Sequence, residues 1–279
     1  MFIPSVNLPF WALILIFLLV LPAASSLGFR FGRLELRRLE ARGLTASYSG
    51  DTTLGALLAL LGLLLGFTFS ATLGWRESSA TLVVEEAAAI STAFLRADLL
   101  PGDTGRPLQE ALLDYARSRV IPTGFSKPPL NSETILTTTL AEQVRLWPAL
   151  LQALGPDVPV NLQTYLSAGV TDVLDAHTRR LAAAAKTVSA SVWSLLFFAA
   201  GSGAFLLGNR AGLQGRAPTW RTLLFSIVLS GVLITIADLD RPSNGFSTVP
   251  QTSLADAVKD MEAALHPAAE AARDLAARP

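Results

Sequence analysis

Four runs of apolar residues reach or approach the length that crosses a bilayer, and they organise the chain. The first extends from Leu8 to about Phe29 and carries no charge. The second, Leu54 to Trp75, is also uncharged; the third spans about Val188 to Leu207 and the fourth Thr222 to Ala237. A transmembrane helix takes about 20 mostly apolar residues. The fourth run is short, and Trp220, Arg221 and Asp238 at its ends supply interfacial anchors. Trp11, Trp75, Trp193 and Trp220 all fall at or near run edges, where an apolar ring with one N–H donor is favoured. The first run contains Leu21-Pro22-Ala23-Ala24-Ser25, which looks like a signal-peptidase site. No Lys or Arg precedes it and the apolar stretch is long for a signal, so an uncleaved helix is expected.

Between and after these runs the periodicity is helical, without the alternation of strands. Val83, Ala87, Ile90 and Phe94 extend the second run as a helix up to Pro101. Further helices are expected over Pro107–Val120, over Ser132–Leu154 with Pro148 bending it or marking a start, and over Asn161–Thr187 running straight into the third run. Residues 121–129, rich in Pro and Gly, read as a loop. Leu254, Val258, Met261 and Leu265 make the tail an amphipathic helix. The fold class is therefore an all-α membrane protein, with four spans in two pairs. Its organisation is 1–75 (spans one and two with a basic loop), 76–187 (extramembrane helical region), 188–238 (spans three and four) and 239–279 (extramembrane tail).

Composition agrees. The 279 residues are 51% hydrophobic and 16% charged, against about 25% charged in soluble domains. Lys+Arg and Asp+Glu are both 22, so no global charge calls for a nucleic-acid partner. Cysteine is absent, which removes disulfides, thiolate metal sites and cysteine nucleophiles. Lysine occurs only at positions 127, 186 and 259, a bias typical of high-GC bacteria. Arg30, Arg33, Arg37, Arg38 and Arg42 crowd the first connection, and Arg210, Arg216 and Arg221 the third. The positive-inside rule places both loops in the cytoplasm and the middle region and termini outside.

Candidate chemistry is sparse. Gly62, Gly66, Ser70 and Gly74 recur every fourth residue, one helix stripe suited to packing within the chain, packing between copies, or lining a pore. Phe67 and Phe69 point about 200° apart, so only one can face a central axis and narrow it. On residues alone a lipid-facing or core position is the favoured reading of either Phe, since an apolar residue in a span needs no special explanation. Glu85 and Glu86 could coat a vestibule or form an ordinary solvated helix face. Asp172 and Asp175 share a helix face from which His177 is turned away, so no metal site is expected there. Asp238, Asp240 and Arg241 open a Pro/Gly turn after span four, as caps, an ion pair or a cation clasp. No catalytic constellation, phosphate loop or cofactor motif is legible, and no span contains a charge, so an enzyme is not expected.

Three stretches resemble the bestrophin-like membrane family: Leu57–Ser70 (LLALLGLLLGFTFS), Leu82–Pro101 (LVVEEAAAISTAFLRADLLP) and Asp238-Leu239-Asp240-Arg241-Pro242 with Gly245. The order and spacing match over most of the chain. The family form carries several Arg before the second stretch, where this chain has Trp75-Arg76-Glu77-Ser78-Ser79 and a thinner basic collar. The resemblance implies a relative of pentameric ion channels with four spans per subunit and a pore lined by span two, where Phe67 or Phe69 would occupy a hydrophobic neck. It also implies a middle region inside the cell, against the charge rule. The acidic calcium clasp of animal bestrophins is not carried over, because Asp238 and Asp240 are too sparse. The expectation is a homo-oligomeric channel for small inorganic ions in the bacterial inner membrane, crossing it several times. The alternative is a non-conducting sensor or scaffold.

Overall fold

The computed structural model describes residues 10–44, 51–120, 132–215, 220–241 and 246–266. All eight regular elements among them are helices: α1 Phe10–Ala41, α2 Asp51–Ala97, α3 Arg106–Arg119, α4 Ser132–Ala153, α5 Val160–Ala184, α6 Ala190–Leu213, α7 Trp220–Leu239 and α8 Thr252–Leu265. Helices α1, α2, α6 and α7 are each long and apolar enough to cross a membrane. The 47 residues of α2 measure about 70 Å, more than twice a bilayer core. Its uncharged part ends at Trp75, where Arg76 and Glu77 begin the polar part. The sequence-predicted loop 121–129, Arg216, and the turn residues Pro242 and Gly245 lie outside the described residues.

The chain divides into two compact units, Met1–Gly74 with Thr187–Ser247 and Trp75–Lys186 with Thr248–Pro279. The first has a core of Phe17, Leu21, Leu61, Leu65, Leu196, Ala200, Leu233 and Ile236. Phe17 stacks on Phe197 with ring centroids 5.2 Å apart. Where the apolar effect gives helices no reason to associate, close backbone approach does. Gly28 and Gly32 of α1 lie against the carbonyls of Phe205 and Asn209, and Gly208 and Gly212 of α6 against those of Ser25 and Phe29. The four glycines thus interlock α1 with α6. Helix α7 joins α1 through the buried Ser230 hydroxyl, which donates to the Phe17 carbonyl at 2.8 Å.

The second unit packs the polar part of α2, α3, α4, α5 and α8 around Ile90, Leu108, Leu112, Leu146, Leu150, Leu166, Val173 and Leu254. In α8 the apolar stripe expected of the tail is seated: Leu254, Met261 and Leu265 are buried.

Three boundaries differ from expectation. Helix α1 does not stop at Phe29 but continues through the arginines to Ala41, and Gly43, at φ 66°, closes it. Helix α6 likewise absorbs the start of the expected third loop, reaching Leu213. The middle region does not run straight into the third span: α5 ends at Ala184 and α6 starts afresh at Ala190. There Ser189 takes an extended backbone and its side chain accepts from Val192 N–H, so a capping serine starts a new helix. Helix α4 runs unbroken through Pro148.

Replacing Gly28 or Gly208 by Ala sets a methyl against a backbone carbonyl that cannot yield, at a cost of about 1–3 kcal/mol. Thermal unfolding of the detergent-solubilised protein should show both variants lowered. Gly201→Ala, where nothing lies within 4 Å, should match or exceed the parent. Equal Tm for all three would contradict the interlock.

Candidate functional site

Helix α2 carries most of the sequence-predicted residues, and each of its two parts buries one narrow face. In the span the buried positions are Leu54, Leu61, Leu65, Thr68 and Thr72. Their spacing of three, four and seven is one helix stripe. The threonines stay satisfied by donating to their own helix: Thr68 to the Leu64 carbonyl at 2.8 Å and Thr72 to that of Thr68 at 3.0 Å.

The small-residue stripe lies elsewhere on the helix. Among the described residues, no other element comes within 4 Å of where a Cβ would stand at Gly62, Gly66 or Gly74, and Ser70 is exposed. Packing within the chain, one of the readings open in the sequence, is not seen at these glycines among the described residues. Phe67 is 67% exposed and Phe69 37%. At about 100° per residue, Phe67 points within about 40° of the direction opposite the buried face, while Phe69 sits on its shoulder.

In the second unit the carboxylate pair splits. Glu85 is exposed, whereas Glu86 is 0% exposed, so Glu86 cannot coat a vestibule. It shares the α2 face of Val83, Ala87 and Ile90, all buried. Its Oε1 accepts from Arg119 Nε at 2.7 Å and from the Tyr115 hydroxyl at 3.1 Å. Its Oε2 accepts from Arg180 Nη1, and Arg180 Nη2 donates on to Gln251 Oε1 at 2.8 Å. One carboxylate so ties α2 to α3, α5 and the segment before α8, and two guanidiniums against one carboxylate leave an excess buried positive charge. The Tyr115 oxygen also contacts His177 Nδ1 at 3.1 Å. A phenol has one proton, and Tyr115 donates it in the hydrogen bond to the carboxylate, so Nδ1 donates to the phenol oxygen. His177 Nε2 is buried without a partner among the described residues.

Burial raises the Glu86 pKa. His177, Arg119 and Arg180 outweigh it and bring the group down to about 2 from an ordinary 4.5. The Tyr115 phenol is pushed up by burial and by the carboxylate beside it. Burial also lowers the Arg180 guanidinium, against the pull of Glu86.

Sequence reading missed Arg119 and Arg180, although their positions betray them. Arg119 continues the buried stripe Leu108, Leu112, Tyr115, and Arg180 falls among Val173, Ala176 and Ala183. An arginine on an apolar stripe needs a buried anion. The Asp172, Asp175 and His177 group disperses: Asp172 lies 3.7 Å from Arg96, and His177 joins the Glu86 network. Among the described residues no three His, Asp or Glu side chains gather as metal ligands.

After α7 the carboxylates serve the backbone. Asp238 accepts from the N–H groups of Phe246 at 2.7 Å and Ser247 at 3.0 Å. Asp240 accepts from Val188 N–H at 2.7 Å and the Trp193 indole at 3.3 Å. Lone pairs committed to donors leave little for a cation, so the clasp reading gives way to anchoring of the turn and of the start of α6. Arg241, the third member of the turn, is partly buried.

Four helices of membrane length with a separate all-helical unit define a helical membrane protein. The chain belongs to the bestrophin-like family: the model of the Bestrophin-like domain matches residues 14–254. Its fold is similar to that of a bacterial bestrophin homologue from Klebsiella pneumoniae. The two share 14% identity over 90% of this chain and 98% of that one, with a TM-score of 0.63. A solved structure of a membrane protein gives 13% identity, 90% and 97% coverage, and a TM-score of 0.64. Identities this low carry the fold alone. No curated protein matches significantly.

The network gives Glu86 a signed pH dependence. A carboxyl held at about 2 when folded and 4.5 when unfolded stabilises the fold fully above pH 4.5. That contribution, about 3 kcal/mol, is lost as pH falls towards 2. Glu86→Gln should unfold at lower temperature than the parent at pH 7, with the gap closing from pH 5 to pH 3. A gap that stays constant over this range would refute an ionised, arginine-held Glu86.

Proposed function

We propose that the protein is a homo-oligomeric channel of the bacterial inner membrane that conducts small inorganic ions passively through a pore lined by α2. The observation that supports this is the open face of α2. A spanning helix that buries only Leu54, Leu61, Leu65, Thr68 and Thr72 offers its opposite side to copies of itself and to the axis they enclose. Gly62, Gly66, Ser70 and Gly74 on that side let neighbouring backbones approach or keep the lumen wide. Phe67, almost opposite the buried face, forms the constriction, a ring of apolar side chains that closes by expelling water. Phe69 packs at its shoulder between neighbouring subunits. Glu85, exposed where Glu86 is not, presents carboxylates to ions near the mouth. The family assignment and the fold shared with a bacterial bestrophin homologue fit this reading, and by that resemblance five copies surround the pore.

Ion flux through purified protein in liposomes tests it, under separate cation and anion gradients. Phe67→Ala should raise flux about tenfold or more by removing the dewetted ring, and Phe69→Ala should change it less. No flux from parent or variants, with the protein folded and oligomeric, would favour a non-conducting sensor or scaffold.

A further inference from the structure

A cavity of about 250 Å³ lies between α1 and α7, walled by Pro22, Ser25, Ser26, Thr222 and Ser226. Beside the cavity the exposed faces of these helices are largely apolar, with Leu15, Leu18 and Leu19 on α1 and Leu224, Ile227 and Val228 on α7. Four hydroxyls gathered at one point of that surface are out of keeping with a plain lipid-facing wall. Ser226 donates to the Thr222 carbonyl at 3.1 Å. Ser25 is 5% exposed, and its hydroxyl has no partner among the described residues, so a buried polar group lines the cavity unused.

The opening lies between Ser26, Trp220 and Leu223, all exposed or half-exposed. These helices are spans, so the opening meets lipid. Its depth follows from pairing. Ser230 reaches Phe17, and Ser226 and Thr222 lie beside Pro22, Ser25 and Ser26, so α7 runs antiparallel to α1. The cavity therefore sits where the apolar run of α1 ends. One turn further along the same α1 face stands the exposed Arg30. Helix α7 begins at Trp220, so the positive end of its dipole lies at the same level.

Hydroxyl donors within the apolar layer, and a cation with a helix N-terminus just outside it, match one ligand: an anionic phospholipid. We infer that such a lipid binds between α1 and α7. Its ester oxygens accept from Ser25 and Ser26, and its phosphate lies against Arg30 and the start of α7. Free phosphate does not fit a cavity that opens among apolar side chains. This site is separate from the pore and does not depend on conduction.

Native mass spectrometry of the full chain in detergent reads binding directly, with phosphatidylglycerol, phosphatidylcholine and inorganic phosphate as probes. The parent should retain phosphatidylglycerol about tenfold better than phosphatidylcholine and retain no phosphate. Arg30→Gln should weaken phosphatidylglycerol about fivefold, and Ser26→Leu, which fills the opening, should bring it to the phosphatidylcholine level. Both positions are exposed, so the variants keep the fold, as size-exclusion and circular dichroism would confirm. Equal retention of the two lipids, unchanged binding in both variants, or displacement of the lipid by inorganic phosphate would each overturn the site.

Discussion

The absence of a hydrophobic driving force inside a bilayer shapes how α2 is held. Within hydrocarbon there is no solvent to drive apolar surfaces together, so a spanning helix can leave most of its circumference uncovered at little cost. In this chain α2 does so, and one stripe from Leu54 to Thr72 anchors it to its neighbours. The rest of the first unit is arranged around that economy. The glycines of α1 and α6 supply the tight pairing, and Ser230 ties α7 to α1. The small residues of α2 remain available for contacts that a single copy does not make.

In the second unit the same helix is held in the opposite manner, by charge. Glu86 has no contact with solvent, and its oxygens are taken by two arginines and a tyrosine. A buried ion cluster is an inefficient way to stabilise a fold, since desolvation offsets most of the attraction. It is an effective way to fix register: the guanidiniums of α3 and α5 accept only one rotation and height of α2. Breaking it by removing one member leaves a buried charge unpaired, which is costly.

Much of this could be read from residues alone, and where it could not, the reasons are physical. The ends of α2 near Pro101 and of α3 before the Pro/Gly-rich stretch 121–129 are written in local chemistry. The family resemblance rests on stretches along α2 and after α7, and both the fold and the family assignment agree with it. What local chemistry cannot convey is partnership. Gly28 and Gly32 have the same spacing as Gly62 and Gly66, yet the first pair meets α6 and the second meets no other element among the described residues. Glu85 and Glu86 are chemically identical neighbours. Their fates diverge because consecutive residues on a helix point about 100° apart and only one faces Arg119 and Arg180. The restart at Ser189 was signalled by its own side chain, a capping residue that apolar continuity on either side obscured.

Conduction along α2 requires that its open side face water in the assembled protein. The chain has no cysteine, so single substitutions report cleanly. Phe67→Cys, reconstituted in liposomes, should lose most of its ion flux on treatment with a charged, membrane-impermeant thiol reagent. Leu19→Cys, exposed on α1 and outside the proposed pore, should be indifferent to it. A Phe67→Cys protein that conducts normally and is never modified would show that this face looks into lipid or protein, and that ions take another route or none.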